Sequence, residues 1–244
     1  MLCWLAATPA QASRETIAFD LNWRFARGDV KGASDTGFAD ASWERVDTPH
    51  DWSIYGPFDP EAPAGGAGAF LPSGVGWYRK HFTLREEPNR RVYVEFDGVM
   101  ANSEVWINGF HLGKRPYGYV SFAYELTGHV LLDGRENVLA VRVDDQAQPA
   151  SRWYQGAGIY RHVRLVVAEP LHLQRWSTFV TTPRIGPAAA TVRVSTIVVN
   201  QDAVPRSFSV ELELFAPNGR RVIDRETVAA TLGTRSSATE TRDL

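Results

Sequence analysis

Two adjacent carboxylates, Asp144 and Asp145, are the clearest candidates for chemistry in this chain of 244 residues. They follow the apolar segment NVLAVRV at 137–143, which is typical of a buried strand. A carboxylate at the end of a strand can accept two hydrogen bonds from the hydroxyl groups of a ligand such as a sugar, and its charge strengthens each bond. A pair of aspartates that only caps a turn is the alternative interpretation.

A second candidate is the segment WYQGAGIYR at residues 153–161. Trp153 and Tyr154 each offer a flat ring with one polar atom, a surface suited to a sugar or to a neighbouring domain. Gly156 and Gly158 predict backbone torsions that other residues avoid, or a close approach to a neighbouring segment. The alternative is a packed corner in an all-β domain.

Several other function classes find no support in the sequence. The net charge of −2 provides no basic surface for nucleic acid, and no apolar run reaches the about 20 residues of a membrane helix. Cys3 is the only cysteine, and the six histidines lack the spacing of metal ligands. We therefore predict no metal site and no cofactor. His50 and Asp51 are adjacent but have no partnered nucleophile, which favours packing over base–acid chemistry.

The elements that must position these residues are short β-strands. Apolar and polar residues alternate with period two in the segment 76–84 and again in 91–98. The segment Phe19–Phe25 also predicts a strand, with Trp23 and Phe25 on one face. Many short strands separated by turns predict an all-β fold, most simply a jelly-roll β-sandwich.

A hairpin is predicted at Asn108 and Gly109, because this dipeptide is a strong signal for a two-residue turn. Trp106, inside the preceding strand, is expected to be a core residue. Glu169-Pro170 marks a boundary, after which a second series of alternating strands begins and turns at Pro217-Asn218-Gly219.

Five motifs occur in an order and spacing that resemble one known family. They are TPHDW (48–52), PAGGAGAFLPSGVG (63–76), GWYRKHF (76–82), FDGVMANSEVWING (96–109) and ENVLAVRVDD (136–145). Together they resemble the N-terminal sugar-binding domain of glycoside hydrolase family 2, most closely its β-galactosidase branch. The resemblance implies a jelly-roll domain at 13–168. It also implies that 169–244 is an incomplete immunoglobulin-like sandwich, since such a sandwich takes about 100 residues.

The same resemblance implies that catalysis lies outside this chain. In the family, a following (β/α)8 barrel of about 250 residues carries two glutamates, one acid/base and one nucleophile. The residues after 168 show no alternation of strand and helix. We therefore expect no catalytic residue here, and the barrel as a partner domain.

Individual substrate contacts are also implied only by the resemblance. Asp144 is expected to reach toward the active site of the barrel and to contact substrate hydroxyls, with Asp145 as the alternative one position on. The glycine-rich loop 63–76 presents an amide side chain to the sugar in some members. Ser73 or Gly74 stands nearest that place here, so the contact is altered or lost. A flexible cover is the alternative role of the loop.

The N-terminal residues 1–12 resemble the remnant of a secretory signal. An apolar stretch precedes Ala10-Gln11-Ala12, a small-x-small cleavage pattern, and Ser13 follows. This pattern predicts a periplasmic or secreted protein. A disordered N-terminus is the alternative.

The sequence thus favours part of an enzyme: the non-catalytic N-terminal portion of a retaining, β-galactosidase-like glycosidase that acts on terminal sugars. Its expected partners are a carbohydrate and the barrel, and the full-length protein can form a homo-oligomer. A free-standing carbohydrate-binding β-sandwich module is the alternative, and a structural adaptor is a third hypothesis. The expected incompleteness of the second domain favours the first.

Overall fold

The computed structural model describes residues 14–85, 89–146 and 153–244, and the regular structure within them is almost entirely β, as predicted. No helix among these residues is long and apolar enough to cross a membrane. Two short 3-10 turns occur at Ser53–Tyr55 and Gly65–Gly68. The strands are β1 (Arg14–Ala18), β2 (Trp23–Arg27), β3 (Glu44–Val46), β4 (Val75–Thr83), β5 (Arg91–Phe96), β6 (Ser103–Ile107), β7 (Phe110–Arg115), β8 (Phe122–Glu125), β9 (Glu136–Asp144), β10 (Val163–Ala168), β11 (Leu171–Leu173), β12 (Phe179–Ile185), β13 (Ala190–Asn200), β14 (Arg206–Phe215), β15 (Val222–Leu232) and β16 (Ser236–Asp243).

The chain divides into two compact units, and residues 15–167 form the first of them. Its sheets have the strand orders β1-β10-β5-β8 and β3-β2-β4-β9-β6-β7. One core lies between the sheets, with Val94 and Leu165 from the first sheet and Tyr78, Ile107 and Val141 from the second. The unit is therefore a β-sandwich. Its interior is built from the residues that alternate along each strand.

The outer face of the six-stranded sheet is also covered, which the period-two pattern did not predict. Arg79 is fully buried there. Its Nε donates to Asp40 Oδ2 at 2.7 Å, and its Nη1 donates to the carbonyl oxygen of Asp35 at 2.9 Å. The segment around Asp40 thereby closes over β4, because a buried guanidinium needs both a counter-charge and hydrogen-bond acceptors.

The predicted opening strand at Phe19–Phe25 is wrong in its bounds. β1 ends at Ala18 and β2 begins at Trp23. Asn22, between them, has a φ of 61°, and its N–H donates to Asp47 Oδ1 at 2.7 Å. A left-handed residue breaks a strand, and asparagine tolerates that conformation well. Trp23 and Phe25 lie on one face of β2, as predicted, and both are buried.

The hairpin prediction is confirmed at Asn108 and Gly109. β6 ends immediately before them and β7 begins immediately after, and their φ angles are 49° and 81°. Two positive φ angles define the tight turn that matches the twist of a hairpin. Trp106 is partly buried in an apolar cluster on the outer face of the sheet. Its ring stacks on Trp77, with the centroids 5.2 Å apart.

The second unit includes residues 168–244 and is also β. In one sheet β13 pairs with β11, β12 and β16, and β14 pairs with β15 in another. Leu171, Val198 and Leu232 form its small core, with Phe208 and Val210 packed against them. The predicted turn lies between β14 and β15, where Gly219 has a φ of 66°.

The strand β16 was missed because its sequence is polar. Its eight residues, SSATETRD, pair with β13 from Ser236↔Asn200 to Asp243↔Arg193. Its side chains alternate between exposed and half-buried positions. Because threonine is favoured in strands, the threonines at alternate positions were the available sequence signal in this segment without large apolar residues.

Candidate functional site

The candidate site lies at the end of β9, where the glycine-rich loop 63–76 joins β4. In the β4–β9 pairing, Val75 is opposite Asp144 and Gly76 is opposite Val143. The fold therefore brings the last residues of the loop, Ser73 and Gly74, next to the two aspartates. This juxtaposition follows from strand register alone, since antiparallel neighbours place the start of one strand beside the end of the other.

Asp145 is buried and bound to the loop. Its Oδ1 accepts a hydrogen bond from Gly74 N–H at 2.7 Å, and its own N–H donates to the Gly74 carbonyl oxygen at 3.0 Å. Burial raises the pKa of Asp145 to about 7, and the nearby charges of Asp144 and Asp51 act in the same direction. Near neutral pH this carboxyl is therefore divided between its neutral and charged forms.

Asp144 is partly exposed and has a different set of partners. Its Oδ2 lies 3.3 Å from both Nη1 and Nη2 of Arg142, and its Oδ1 accepts the Gln146 N–H at 3.1 Å. Arg142 also makes a two-point ion pair with Asp29, at 3.0 and 2.9 Å. The arginine orients the carboxylate of Asp144 and leaves it partly accessible, which suits a group that accepts hydrogen bonds from a ligand.

Ser73 lies at the end of the loop and is half-buried. Its carbonyl oxygen accepts a hydrogen bond from Arg27 Nη2 at 3.4 Å. Gly74 has a φ of 146°, and an added Cβ there would meet nothing within 4 Å. The loop end is thus fixed through its backbone by Arg27 and Asp145.

A second constellation, centred on Asp51, was not predicted from the sequence. Asp51 Oδ2 accepts a hydrogen bond from the Tyr154 hydroxyl at 2.6 Å, and its Oδ1 accepts the N–H groups of Ala157 at 3.0 Å and Ser53 at 3.1 Å. Burial raises the pKa of Tyr154, and the hydrogen bond to Asp51 adds to this effect. Asp51 therefore ties the segment 153–161 to the PHDW motif.

His50 points to other partners, in agreement with a packing role. Its Nδ1 lies 2.8 Å from the Tyr78 hydroxyl oxygen, and burial lowers the pKa of the ring. The sequence signal for the role of Asp51 was its residue type, because aspartate in turns commonly accepts the N–H two residues on. Here that donor is Ser53.

The two glycines of the segment 153–161 behave as predicted. Gly156 has a φ of 81° and Gly158 a φ of 115°. A Cβ on Gly158 would lie 2.3 Å from the Tyr78 hydroxyl oxygen and 2.6 Å from the His50 carbonyl oxygen. Gly158 also pairs with Met100 through two backbone hydrogen bonds, at 2.8 and 2.9 Å. Only glycine provides both the torsion and the space at this crossing.

The acidic residues of the site were also compared with the pattern of a metal centre. Within residues 14–85, 89–146 and 153–244, no group of three or more histidine, cysteine, aspartate or glutamate side chains is placed to hold a metal ion. The acidic residues of the site instead contact arginine and backbone N–H groups. What the site offers chemically is a set of oriented hydrogen-bond acceptors beside a glycine-rich loop.

Comparison with known proteins finds relatives of this chain. The family model described as "Beta-galactosidase second all-beta domain" matches residues 49–148. The β-galactosidase BoGH2A of Bacteroides ovatus is 46% identical over 212 residues, which are 86% of this chain and 25% of that protein. The chain is related to glycoside hydrolase family 2. The resemblance drawn from the five motifs is thus confirmed.

Other similar proteins give the same picture. A β-glucuronidase of Formosa agariphila is 30% identical and is matched over 85% of this chain and 23% of its own length. A crystal structure of a glycosyl hydrolase family 2 member from Bacteroides cellulosilyticus superposes with a TM-score of 0.86 at 35% identity, covering 93% of this chain and 30% of that one. The chain therefore spans about a quarter of the length of the relatives it matches.

The predicted N-terminal signal, including Ala10-Gln11-Ala12, lies outside the described residues. The substrate contacts assigned to Asp144, Asp145 and Ser73 remain predictions.

Proposed function

We propose that this chain is the non-catalytic, sugar-binding part of a longer family 2 glycoside hydrolase, with a β-galactosidase as the favoured activity. The observation that carries the proposal is the match to the Bacteroides ovatus β-galactosidase, which covers 86% of this chain but only 25% of that enzyme.

The chemistry of the described residues supports a binding role rather than a catalytic one. A retaining glycosidase needs two carboxyl groups about 5 Å apart, one on each side of the scissile bond. Asp145 is buried and hydrogen-bonded to backbone, and Asp144 is engaged by Arg142. Neither carboxyl stands free to act as a nucleophile. In this proposal the two glutamates that hydrolyse the glycosidic bond belong to a following barrel.

Within the proposal the two aspartates have separate roles. Asp144 is partly exposed and contacts the hydroxyls of the substrate. Asp145 holds Gly74, and so fixes where the loop end and Ser73 stand relative to the sugar. The unit thereby forms one wall of the substrate pocket and limits access to terminal sugars.

A free-standing carbohydrate-binding module is the second candidate, supported by the exposed aromatic side chains near residue 153. We further propose export to the periplasm or beyond, on the sequence pattern before Ser13. N-terminal sequencing of the mature protein tests that part, with Ser13 as the expected first residue.

The proposal is tested with a chimera in which this chain replaces the matched quarter of the Bacteroides ovatus β-galactosidase. The expected result is a soluble chimera that hydrolyses an aryl β-galactoside. A matched chimera carrying an unrelated β-sandwich of similar length is the control and should be inactive. A folded chimera without activity on β-galactosides or β-glucuronides would count against the proposal.

A further inference from the structure

A group of exposed aromatic rings lies in the first unit and has no role in its core. It consists of Tyr117, Tyr119 and Trp153, which we call the aromatic platform. Trp153 is 56% exposed, and Tyr117 is 61% exposed. Large rings that remain this open and touch one another form a contiguous apolar surface, and such surfaces on soluble domains commonly mark binding sites.

The rings of the platform are fixed by contacts with each other. The indole N–H of Trp153 donates a hydrogen bond to the Tyr119 hydroxyl oxygen at 3.1 Å. The Tyr117 and Tyr119 rings meet edge to face, with centroids 5.5 Å apart. A ring whose orientation is set before binding loses little conformational entropy when a ligand covers it.

The backbone beneath the platform is fixed as well. The Tyr160 hydroxyl donates to the Gly118 carbonyl oxygen at 2.9 Å. Gly118 packs so closely on Met100 that an added Cβ would lie 2.6 Å from its sulfur. The turn that carries Tyr117 and Tyr119 is therefore held from two sides.

A short chain of hydrogen bonds connects the platform to the candidate site. Asn102 N–H donates to the Pro116 carbonyl oxygen at 3.1 Å, next to Tyr117. The Asn102 side chain donates to the Asp144 carbonyl oxygen at 3.0 Å. One asparagine thus bridges the platform and Asp144, and the two features belong to the same end of the sandwich.

We infer that the aromatic platform binds the sugar that follows the terminal residue of an oligosaccharide whose terminal residue contacts Asp144. This inference rests on the proposed function. The C–H face of a pyranose packs on an aromatic ring, and the phenol hydroxyls at the rim of the platform can bond its hydroxyl groups. The platform would therefore make the protein prefer oligosaccharides over simple glycosides.

The test is an NMR titration of the ¹⁵N-labelled 244-residue chain. The probes are β-linked trisaccharides ending in galactose or glucuronate, and the matching methyl glycosides. The trisaccharide of the correct type is expected to shift the Trp153 indole N–H, which is assigned by its loss in Trp153→Phe. It should bind about 3- to 10-fold more tightly than its methyl glycoside, the gain typical of one aromatic contact.

The variants separate the platform from a general loss of structure. Trp153→Ala is expected to remove the gain for the trisaccharide and to leave binding of the methyl glycoside unchanged. Phe110→Ala removes another half-exposed ring, at the tip of the β6–β7 hairpin, and should keep the gain. Trp153→Phe keeps a ring and should keep part of the gain in affinity for the trisaccharide.

Absence of any shift at the Trp153 indole with all four probes overturns the inference. If the Asp144 and Gly74 amides still respond in that case, the proposed function stands without the platform. If the Trp153 indole and the Asp144 and Gly74 amides all fail to respond, the result contradicts both the inference and the proposed function. Lower thermal stability of Trp153→Ala, together with no response to trisaccharides, assigns the platform a structural role and also overturns the inference.

Discussion

Asp145 and Asp144 are adjacent, yet their surroundings give them opposite characters. Asp145 is buried and holds a loop, and its raised pKa follows from that burial. Asp144 is oriented by an arginine and stays partly accessible. The resemblance favoured Asp144 for the substrate contact, with Asp145 as the alternative. The sequence could not show their different surroundings, because these depend on the pairing of β9 with β4 and on the position of Arg142.

The raised pKa of Asp145 predicts a pH dependence of stability. The folded state keeps a proton on Asp145 up to about pH 7, whereas the unfolded chain releases it near pH 4. The contribution of Asp145 to the free energy of unfolding is therefore fully present below about pH 4. It is lost as the pH rises to about 7, and the loss is at most about 4 kcal/mol.

Asp145→Asn should remove this dependence, because its amide oxygen can still accept the Gly74 N–H. Urea unfolding of both proteins between pH 4 and 8 measures the difference. Parallel curves for the wild type and the variant would mean that Asp145 titrates normally.

Asp144→Asn tests the proposed substrate contact in the active chimera. The charge-assisted hydrogen bond to a sugar hydroxyl becomes a neutral one, so kcat/KM is expected to fall by about 10- to 150-fold, equal to about 1.5–3 kcal/mol. Melting temperature should change little, since asparagine replaces aspartate well in turns. Unchanged kcat/KM would move the contact to Asp145, and a lower melting temperature alone would indicate a capping role.

At the scale of elements, the crossing of segments 48–52 and 153–161 fixes the architecture around the site. Gly158→Ala places a methyl group against Tyr78 and the His50 carbonyl in a left-handed conformation. We expect a loss of about 3–5 kcal/mol in the free energy of unfolding, from overpacking and strain together.

The matched control is Gly37→Ala, where an added Cβ meets nothing within 4 Å. It should change stability by about 1 kcal/mol or less. Similar melting temperatures for the two variants would show that the crossing is loosely packed.

The buried ion pair between Arg79 and Asp40 predicts a second large effect on stability. Burial alone would raise the pKa of Asp40, but hydrogen bonds from His81 and Arg79 hold it below its usual value. Asp40→Asn leaves the buried guanidinium without its counter-charge, so about 3–5 kcal/mol of stability should be lost.

The surface variant Asp133→Asn, which breaks an exposed pair with Arg135, serves as the control and should unfold like the wild type. Chemical denaturation compares the three proteins. An equal midpoint for Asp40→Asn would mean that the segment over β4 is not held by this charge.

The elements were predictable to different degrees, for physical reasons. Hairpin and glycine positions are decided by local torsions, so Asn108-Gly109, Gly156 and Gly158 were predicted correctly. Burial of Arg79 is decided by a segment some forty residues away in the chain, and no local pattern reveals it. The aromatic platform combines residues near 118 and 153, so only the folded structure places them together.

At the scale of the whole molecule, the proposed function is that of a sugar-binding wall without catalytic groups. It rests on the two-sheet sandwich of the first unit, on the kinship with family 2 enzymes and on the short span of this chain within them. The five motifs were sufficient to predict this kinship.

The most direct test of this account is the rate of aryl β-galactoside hydrolysis by the purified 244-residue chain, measured beside the chimera under the same conditions. We expect no turnover by the chain at any concentration and clear turnover by the chimera. Hydrolysis by the chain that stays proportional to its concentration through repeated purification would contradict it, because a catalytic carboxyl pair would then have to lie within these residues.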